Sequence, residues 1–166
     1  MTRAYVGLGS NMGDRERMLW SAVHMLAFNP EVEVVAVSSI RETDPVGFAD
    51  QPRFLNAAVA LDTELDARAL LELLLSLEIE LGRTRDGPRY GPRTIDLDLL
   101  LYGALVVDEP DLKVPHPELI RRSFVLVPLV ELDPLLVHPL THETLLTELS
   151  RLTTRPPVKR GSRLWN

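Results

Sequence analysis

The sequence predicts a ferredoxin-like α/β sandwich, an α+β fold with a mainly antiparallel sheet and additional C-terminal helices. Strand-like and helix-like segments follow one another in the order β-α-β, β-α-β, and two such units side by side build this sandwich. Two consecutive strands are joined without a helix between them, which favours antiparallel pairing over an alternating Rossmann arrangement. Apolar segments with helical spacing come last in the chain.

The first unit begins with a strand, "RAYVGLG", whose apolar residues alternate along the chain. Gly9 to Asn11 lack both the dinucleotide-binding and the Walker A spacing, so we expect a tight turn there that shapes the sheet edge. Asp14 is placed to cap a helix that ends at Asn29-Pro30 and has apolar residues at helical spacing, namely Leu19, Ala22, Val23 and Leu26. The β-branched stretch "EVEVVAVSSI" predicts the second strand.

The second unit follows a loop, "RETDPVGFADQP", which is rich in turn residues. The strand "RFLNAAVALDT" places Phe54 and Asn56 on the face opposite its aliphatic residues. The next helix is predicted between Asp66 as N-cap and Gly82 just past its end. A strand from Ile95, a hairpin-like segment "ALVVDEPDLKV" and helices over about 121–131 and 142–152 complete the chain, and no linker divides it, so residues 1–166 are expected to form one domain.

Composition excludes several classes of protein. The net charge of −6 argues against nucleic-acid binding, and the absence of cysteine excludes disulfides and thiolate metal sites. No apolar run approaches the roughly 20 residues of a membrane helix, and the N-terminus lacks the pattern of a signal peptide. We therefore expect a cytoplasmic protein with neither membrane nor nucleic-acid partners.

Two carboxylates interrupt the apolar strand "IDLDLLLYG". Asp96 and Asp98 share one face of that strand, with Cα atoms roughly 6–7 Å apart. Like charges placed this close are stabilised by a cation, and an oxygen-only ligand set favours Mg²⁺ or Mn²⁺. The alternative is an exposed face on which the aspartates are ordinary surface charge.

Arginines crowd the segment before this strand. Arg83, Arg85, Arg89 and Arg93 fall within eleven residues of a glycine- and proline-containing stretch, which is typical of a mobile loop over a metal–polyphosphate complex. A solvated turn with ordinary ion pairs is the other interpretation. Glu78 could contact a ligand or pair with Arg83, and a single His116 between prolines is more often structural.

Four blocks in order carry a family resemblance: "GLGSNMGD", "ETDPVGFADQPRFLNAAVAL", "GRTRDGPRYGPRTIDLDLLLYG" and "VPHPELIRRSFVLVPLVEL". Together they resemble the 6-hydroxymethyl-7,8-dihydropterin pyrophosphokinases of folate biosynthesis over roughly residues 2–140. The resemblance implies that ATP donates its β,γ-diphosphoryl unit to the hydroxymethyl oxygen of the pterin, with AMP as the second product. ATP and the pterin would be the partners of a monomer.

The resemblance also implies roles for individual residues. Asp96 and Asp98 would hold two Mg²⁺ ions, and Arg83 and Arg93 would stabilise the transferring group. ATP would be bound by Glu78, Arg85, Leu99, His116 and Arg122. The pterin would be bound by Thr43, Pro45, Val46, Phe54, Asn56, Tyr90 and Phe124, with the two phenylalanines on either side of its ring.

Three positions depart from the family pattern, namely Asp86 for a basic residue, Phe54 for a tyrosine and Pro117 for an aromatic residue. They bear on individual affinities rather than on the reaction. Two other functions stay open at this point. The aspartate pair also suits another metal-dependent nucleotidyl- or phosphotransferase, and the fold also suits an RNA-binding module, although the acidic charge disfavours the latter.

Overall fold

A computed structural model describes residues 1–44, 50–82 and 95–152, together with the backbone of 159–163. The strands are β1 (Thr2–Ser10), β2 (Val32–Val37), β3 (Ser39–Thr43), β4 (Phe54–Thr63), β5 (Asp96–Tyr102), β6 (Val107–Glu109), β7 (Leu112–Val114) and β8 (Lys159–Arg163). The helices are α1 (Arg15–Phe28), α2 (Ala67–Glu80), α3 (Ser123–Leu132) and α4 (Leu145–Ser150). None of the helices in these ranges has the length and apolar character needed to cross a membrane.

The main sheet has the order β5-β1-β4-β3-β8, with β2 also paired to β4, and every pairing is antiparallel. β1 lies between β4 and β5 in the sheet and is hydrogen-bonded to both. This confirms the predicted ferredoxin-like arrangement. The hairpin predicted after β5 is the separate two-stranded sheet of β6 and β7.

Each face of the sheet is covered by helices. On one face, α1 and α2 bury the aliphatic side chains of β1, β4 and β5, including Val6, Val59 and Leu97. On the other face, a smaller core brings Leu126 and Leu129 of α3 against the sheet. Because α3 is short, this second cover leaves part of the sheet open, and the site described below lies there.

The predicted helix caps are confirmed. The carboxylates of Asp14 and Asp66 accept hydrogen bonds from the backbone N–H groups of Arg17 and Ala69, at 3.2 and 2.8 Å. Gly82 follows α2 with φ of 89°, the left-handed conformation that glycine adopts most easily. These contacts fix where the two long helices begin and where α2 ends.

The second strand differs from its prediction. The stretch is divided into β2 and β3 at Ser38, whose N–H donates to the Ala58 carbonyl while its hydroxyl accepts from the Ala58 N–H. β3 then continues to Thr43, into the predicted loop. A serine hydroxyl that replaces a backbone acceptor is not visible in a pattern of β-branched residues, so the break could not be read from periodicity.

Two further predictions need correction, and one strand was missed. The predicted turn at Gly9 to Asn11 is wrong for Gly9, because β1 runs to Ser10 and Gly9 is paired on both sides. The last helix starts at Leu145 rather than 142, since Thr144 accepts a hydrogen bond from the Thr147 N–H and caps it. β8 was not predicted, because its basic sequence lacks strand alternation.

Candidate active site

A cleft with about 780 Å³ of empty space, part of it open to solvent, lies on the face of the sheet that α3 covers only in part. β1, β4 and β5 form its floor, and α3 with the segment before it forms one wall. The residues that line it include Gly7, Gly9, Thr43, Asp44, Phe54, Asn56, Asp96, Asp98, Leu100, His116, Arg122 and Phe124.

One side of the cleft carries the acidic pair, Asp96 and Asp98. Both lie half-buried on the cleft face of β5, as the alternation of the strand predicted. Leu97 and Leu99 occupy the other face, buried under α1 and α2. The side chain of Leu99 therefore lies away from the cleft, and only its backbone is available to a ligand.

The acidic pair fits a divalent cation that is shared with a ligand. In the described ranges, no group of three or more His, Asp or Glu side chains is arranged to hold a metal ion. Two carboxylates alone suit Mg²⁺, which keeps several waters and completes its octahedral coordination with substrate phosphate oxygens. Their oxygen donors and their position at an open cleft match this use.

Glu78 lies on the opposite side of β5 from the cleft. It is 2% exposed, and its Oε2 accepts a hydrogen bond from the backbone N–H of Leu97 at 2.9 Å. Among the strands that the structure describes, β5 is at the edge of the sheet, so this carboxylate satisfies a donor with no strand partner among them. Glu78 thus fixes the strand that carries the acidic pair.

The other side of the cleft is lined by two aromatic residues, Phe54 of β4 and Phe124 of α3, which we call the aromatic slot. Asn56 also lines the cleft, and its Nδ2 donates to the Thr43 hydroxyl at 2.6 Å. This bond orients the amide, so the Asn56 carbonyl oxygen is directed elsewhere, next to Gly9. A flat ring that enters the slot therefore meets a fixed hydrogen-bond acceptor at its edge.

His116 and Arg122 also line the cleft. The Nδ1 atom of His116 accepts from the Glu118 N–H at 3.1 Å, which leaves the Nε2–H of a neutral imidazole as its donor. Burial lowers the pKa of His116, the charge of Arg122 lowers it further, and Asp96 opposes the shift. Arg122 pairs with Glu118 at 3.6 Å, and its guanidinium lies 5.7 Å from the centre of the Phe124 ring.

The structure brings together several of the residues predicted from the sequence: Thr43, Phe54, Asn56, Asp96, Asp98, His116, Arg122 and Phe124 all line the cleft. Other predicted residues lie outside the described part of the chain, namely Pro45, Val46, Arg83, Arg85, Tyr90 and Arg93. Sequence reasoning missed Gly7, Gly9 and Leu100 as residues of the cleft. Glycines at alternate positions of β1, on the face away from Val6, were the available signal.

Comparison with known proteins identifies the chemistry. The sequence model of the 7,8-dihydro-6-hydroxymethylpterin-pyrophosphokinase (HPPK) family matches residues 5–134. The chain belongs to this family. The HPPK enzyme of Methylorubrum extorquens, 2-amino-4-hydroxy-6-hydroxymethyldihydropteridine pyrophosphokinase, is 53% identical over 137 residues, which are 82% of this chain and 86% of that protein. The enzyme of the same name from Bacillus subtilis is 53% identical over 129 residues, 78% of this chain and 77% of that protein.

Solved structures confirm the fold. The crystal structure of wild-type HPPK-DHPS from Plasmodium falciparum superposes with a TM-score of 0.73 at 14% identity and covers 93% of this chain. This chain spans 45% of that longer chain, and at such low identity the likeness shows the fold alone. The sequence predictions of a ferredoxin-like fold, of the HPPK family and of a pyrophosphokinase are all confirmed.

Proposed function

We propose that this protein transfers the diphosphoryl group of ATP to the hydroxymethyl oxygen of 6-hydroxymethyl-7,8-dihydropterin, giving AMP and the pterin diphosphate in folate biosynthesis. One observation carries the proposal: a single cleft places an aromatic slot beside a carboxylate pair. The slot suits a flat heterocycle, and the pair suits a metal-bound polyphosphate. The two relatives described above are named for the same pterin reaction.

The aromatic slot binds and orients the pterin. Phe54 and Phe124 stack on the two faces of the ring, and the Asn56 carbonyl accepts from an N–H at its edge. The Thr43 hydroxyl keeps the Asn56 amide in this orientation through its 2.6 Å hydrogen bond. In our proposal Pro45, Val46 and Tyr90 complete the pterin site from the neighbouring segments.

The acidic side binds ATP. Asp96 and Asp98 would hold two Mg²⁺ ions, which would neutralise charge on the triphosphate. Arg122 and the Nε2–H of His116 are donors for phosphate or ribose oxygens, and Arg85 assists them. Leu99 contributes through its backbone, whereas Glu78 acts through β5, which it fixes at Leu97.

The chemistry then needs positioning more than covalent participation by the protein. The pterin hydroxymethyl oxygen attacks the β-phosphorus in line and releases its proton to solvent water. The bond from the β-phosphorus to the oxygen bridging it to the α-phosphorus breaks, and AMP leaves with that oxygen. Arg83 and Arg93 stabilise the charge that develops on the transferred group. A monomeric state and a cytoplasmic location remain predictions.

The product of the reaction tests the proposal. Protein incubated with Mg²⁺, ATP and the pterin alcohol should form AMP in amounts equal to the pterin consumed. Formation of ADP, or of AMP without the pterin, contradicts the reaction. Because the proposal rests on a metal-bound polyphosphate, omission of Mg²⁺ should abolish turnover.

Asp96→Asn tests the metal role. We expect turnover to fall by at least about 10³-fold, equivalent to about 4 kcal/mol of transition-state stabilisation, while the melting temperature stays near that of the wild type. Asp108→Asn is the matched control, since Asp108 is an exposed carboxylate on β6, outside the cleft. Equal activity of the Asp96 and Asp108 variants would exclude Asp96 as a metal ligand.

A further inference from the structure

Gly9 lies between the two halves of the cleft. In the sheet register it is directly opposite Asn56 of β4 on one side and Asp96 of β5 on the other. Residues directly opposite one another on neighbouring strands project to the same face. The one position between the amide of the aromatic slot and the acidic pair therefore has no side chain.

The fold does not require glycine at this position. The glycines with positive φ in the described ranges are Gly13, Gly82 and Gly103, so Gly9 has a backbone conformation open to other residues. A Cβ on Gly9 would lie 3.4 Å from Asn56 Oδ1 and 3.8 Å from Asp96 Cβ, with Phe54 Cδ1 also at 3.8 Å. These are ordinary van der Waals contacts, and all three are to side chains.

Glycine inside a strand is usually unfavourable, because it loses more conformational freedom on folding and has no side chain to pack. At Gly9 neither backbone strain nor a clash with the protein offsets this loss. The three nearest neighbours of its missing Cβ all belong to the cleft. The space that a side chain would fill is thus space open to a ligand.

We propose that Gly9 is a specificity-determining residue, whose missing side chain leaves the passage through which the hydroxymethyl group of the pterin reaches the phosphates. This inference rests on the proposed function. A ring held at Asn56 must extend its reactive arm towards Asp96, and the straight path between them crosses Gly9. A methyl group at this position occupies that path and displaces the arm.

Gly9→Ala provides the test. We expect kcat/KM for the pterin to fall about 100-fold, since a displacement of roughly 1 Å at a reacting centre has an effect of this size. Pterin affinity, measured by fluorescence titration, should fall as well. The affinity for a non-hydrolysable ATP analogue with Mg²⁺ should stay within twofold. The melting temperature should be unchanged or slightly raised, because alanine restricts the unfolded chain.

Gly13→Ala is the matched control. Gly13 is exposed at φ of 64°, and a Cβ there meets nothing within 4 Å. Alanine in this left-handed conformation costs roughly 1–2 kcal/mol, which lowers the melting temperature, while the cleft is untouched. The two variants should therefore show opposite patterns: Gly9→Ala loses activity and keeps stability, and Gly13→Ala loses stability and keeps activity.

The experiments distinguish a failure of the Gly9 proposal from a failure of the proposed reaction. Wild-type kcat/KM and pterin affinity in Gly9→Ala would overturn the passage alone. A large loss of stability in Gly9→Ala would also overturn it, because glycine would then be a structural requirement. Wild-type protein that forms no AMP would refute the proposed function, and the passage with it.

Discussion

Replacement of Glu131 by glutamine should weaken the attachment of α3 to the sheet. Glu131, near the end of α3, accepts hydrogen bonds from the Ser39 hydroxyl at 2.6 Å, from the Ser39 N–H at 3.2 Å and from the Arg41 guanidinium at 2.6 Å. Ser39 is buried, and the side chains of Arg41 and Glu131 are only 13% and 28% exposed. Water is therefore a poor substitute partner for these donors.

The expected loss of stability depends on how many donors the substitution leaves without an acceptor. A glutamine keeps one acceptor oxygen and replaces the other by an NH₂ group. This NH₂ group is itself a donor, so it cannot accept the hydrogen bonds that the carboxylate oxygen accepted. Hydrogen bonds to charged groups contribute about 1.5–3 kcal/mol each, so we expect the free energy of unfolding to fall by about 2 kcal/mol. For a protein of this length, that lowers the melting temperature by about 4–8 °C.

The pH dependence of stability gives an independent measure. Burial alone would raise the pKa of Glu131, but the hydrogen bonds from Ser39 and Arg41 outweigh it, and the pKa is lowered from its usual value of 4.5. A carboxylate with a lowered pKa in the folded state adds stability above its unfolded pKa and loses it as the pH falls through its folded value. The difference between wild type and Glu131→Gln should thus be full at pH 7 and shrink below about pH 4.5.

Thermal unfolding of both proteins from pH 7 down to pH 3 measures these effects. Asp108→Asn is the control, because Asp108 pairs with Lys113 at 2.9 Å while the two side chains are 84% and 48% exposed. An exposed pair of this kind contributes about 0–1 kcal/mol. Equal melting temperatures of the two variants at pH 7, or a difference that persists unchanged at pH 3, would refute the reasoning.

Two further predictions concern the cleft. Phe124→Ala should weaken pterin binding by about 10- to 100-fold in a fluorescence titration, through the loss of one stacking face, and unchanged affinity would count against the slot. Burial lowers the pKa of His116 in the folded state, so the unfolded state binds a proton at this histidine more readily. The free energy of unfolding of the wild type should therefore fall as the pH drops below about 6.5. In His116→Asn, which keeps an acceptor for the Glu118 N–H, that fall should be smaller, and identical pH profiles would exclude His116 as its source.

Much of the fold followed from local patterns in the sequence. Helical spacing located α1 and α2, and the capping aspartates Asp14 and Asp66 marked where they start. The ends of the strands were harder to predict from the sequence, because they depend on pairing with neighbouring strands. β1 includes Gly9 since β4 and β5 both extend alongside it, and no property of the residue itself reveals two neighbours.

The candidate site was predictable in its parts. Alternation placed Asp96 with Asp98 and Phe54 with Asn56, each pair on one face of its strand. The two pairs lie on the same face of the sheet because of the strand order β5-β1-β4 and the register of all three strands. Neither the order nor the register can be derived from alternation along one strand. Glu78 illustrates the same limit: its spacing along α2 showed a polar group on an apolar face, but its hydrogen bond to Leu97 requires the tertiary structure.

The two halves of the cleft are supported by different contacts. The acidic pair stands on β5, which is fixed by β1 and by Glu78. The aromatic slot depends on α3, whose link to β3 passes through Glu131. Loosening α3 therefore disturbs Phe124 and Arg122, which lie at its N-terminal end, and leaves the carboxylates of β5 in place. The two halves meet at Gly9, on a central strand paired on both sides, which in our proposal is where the reacting atoms are brought together.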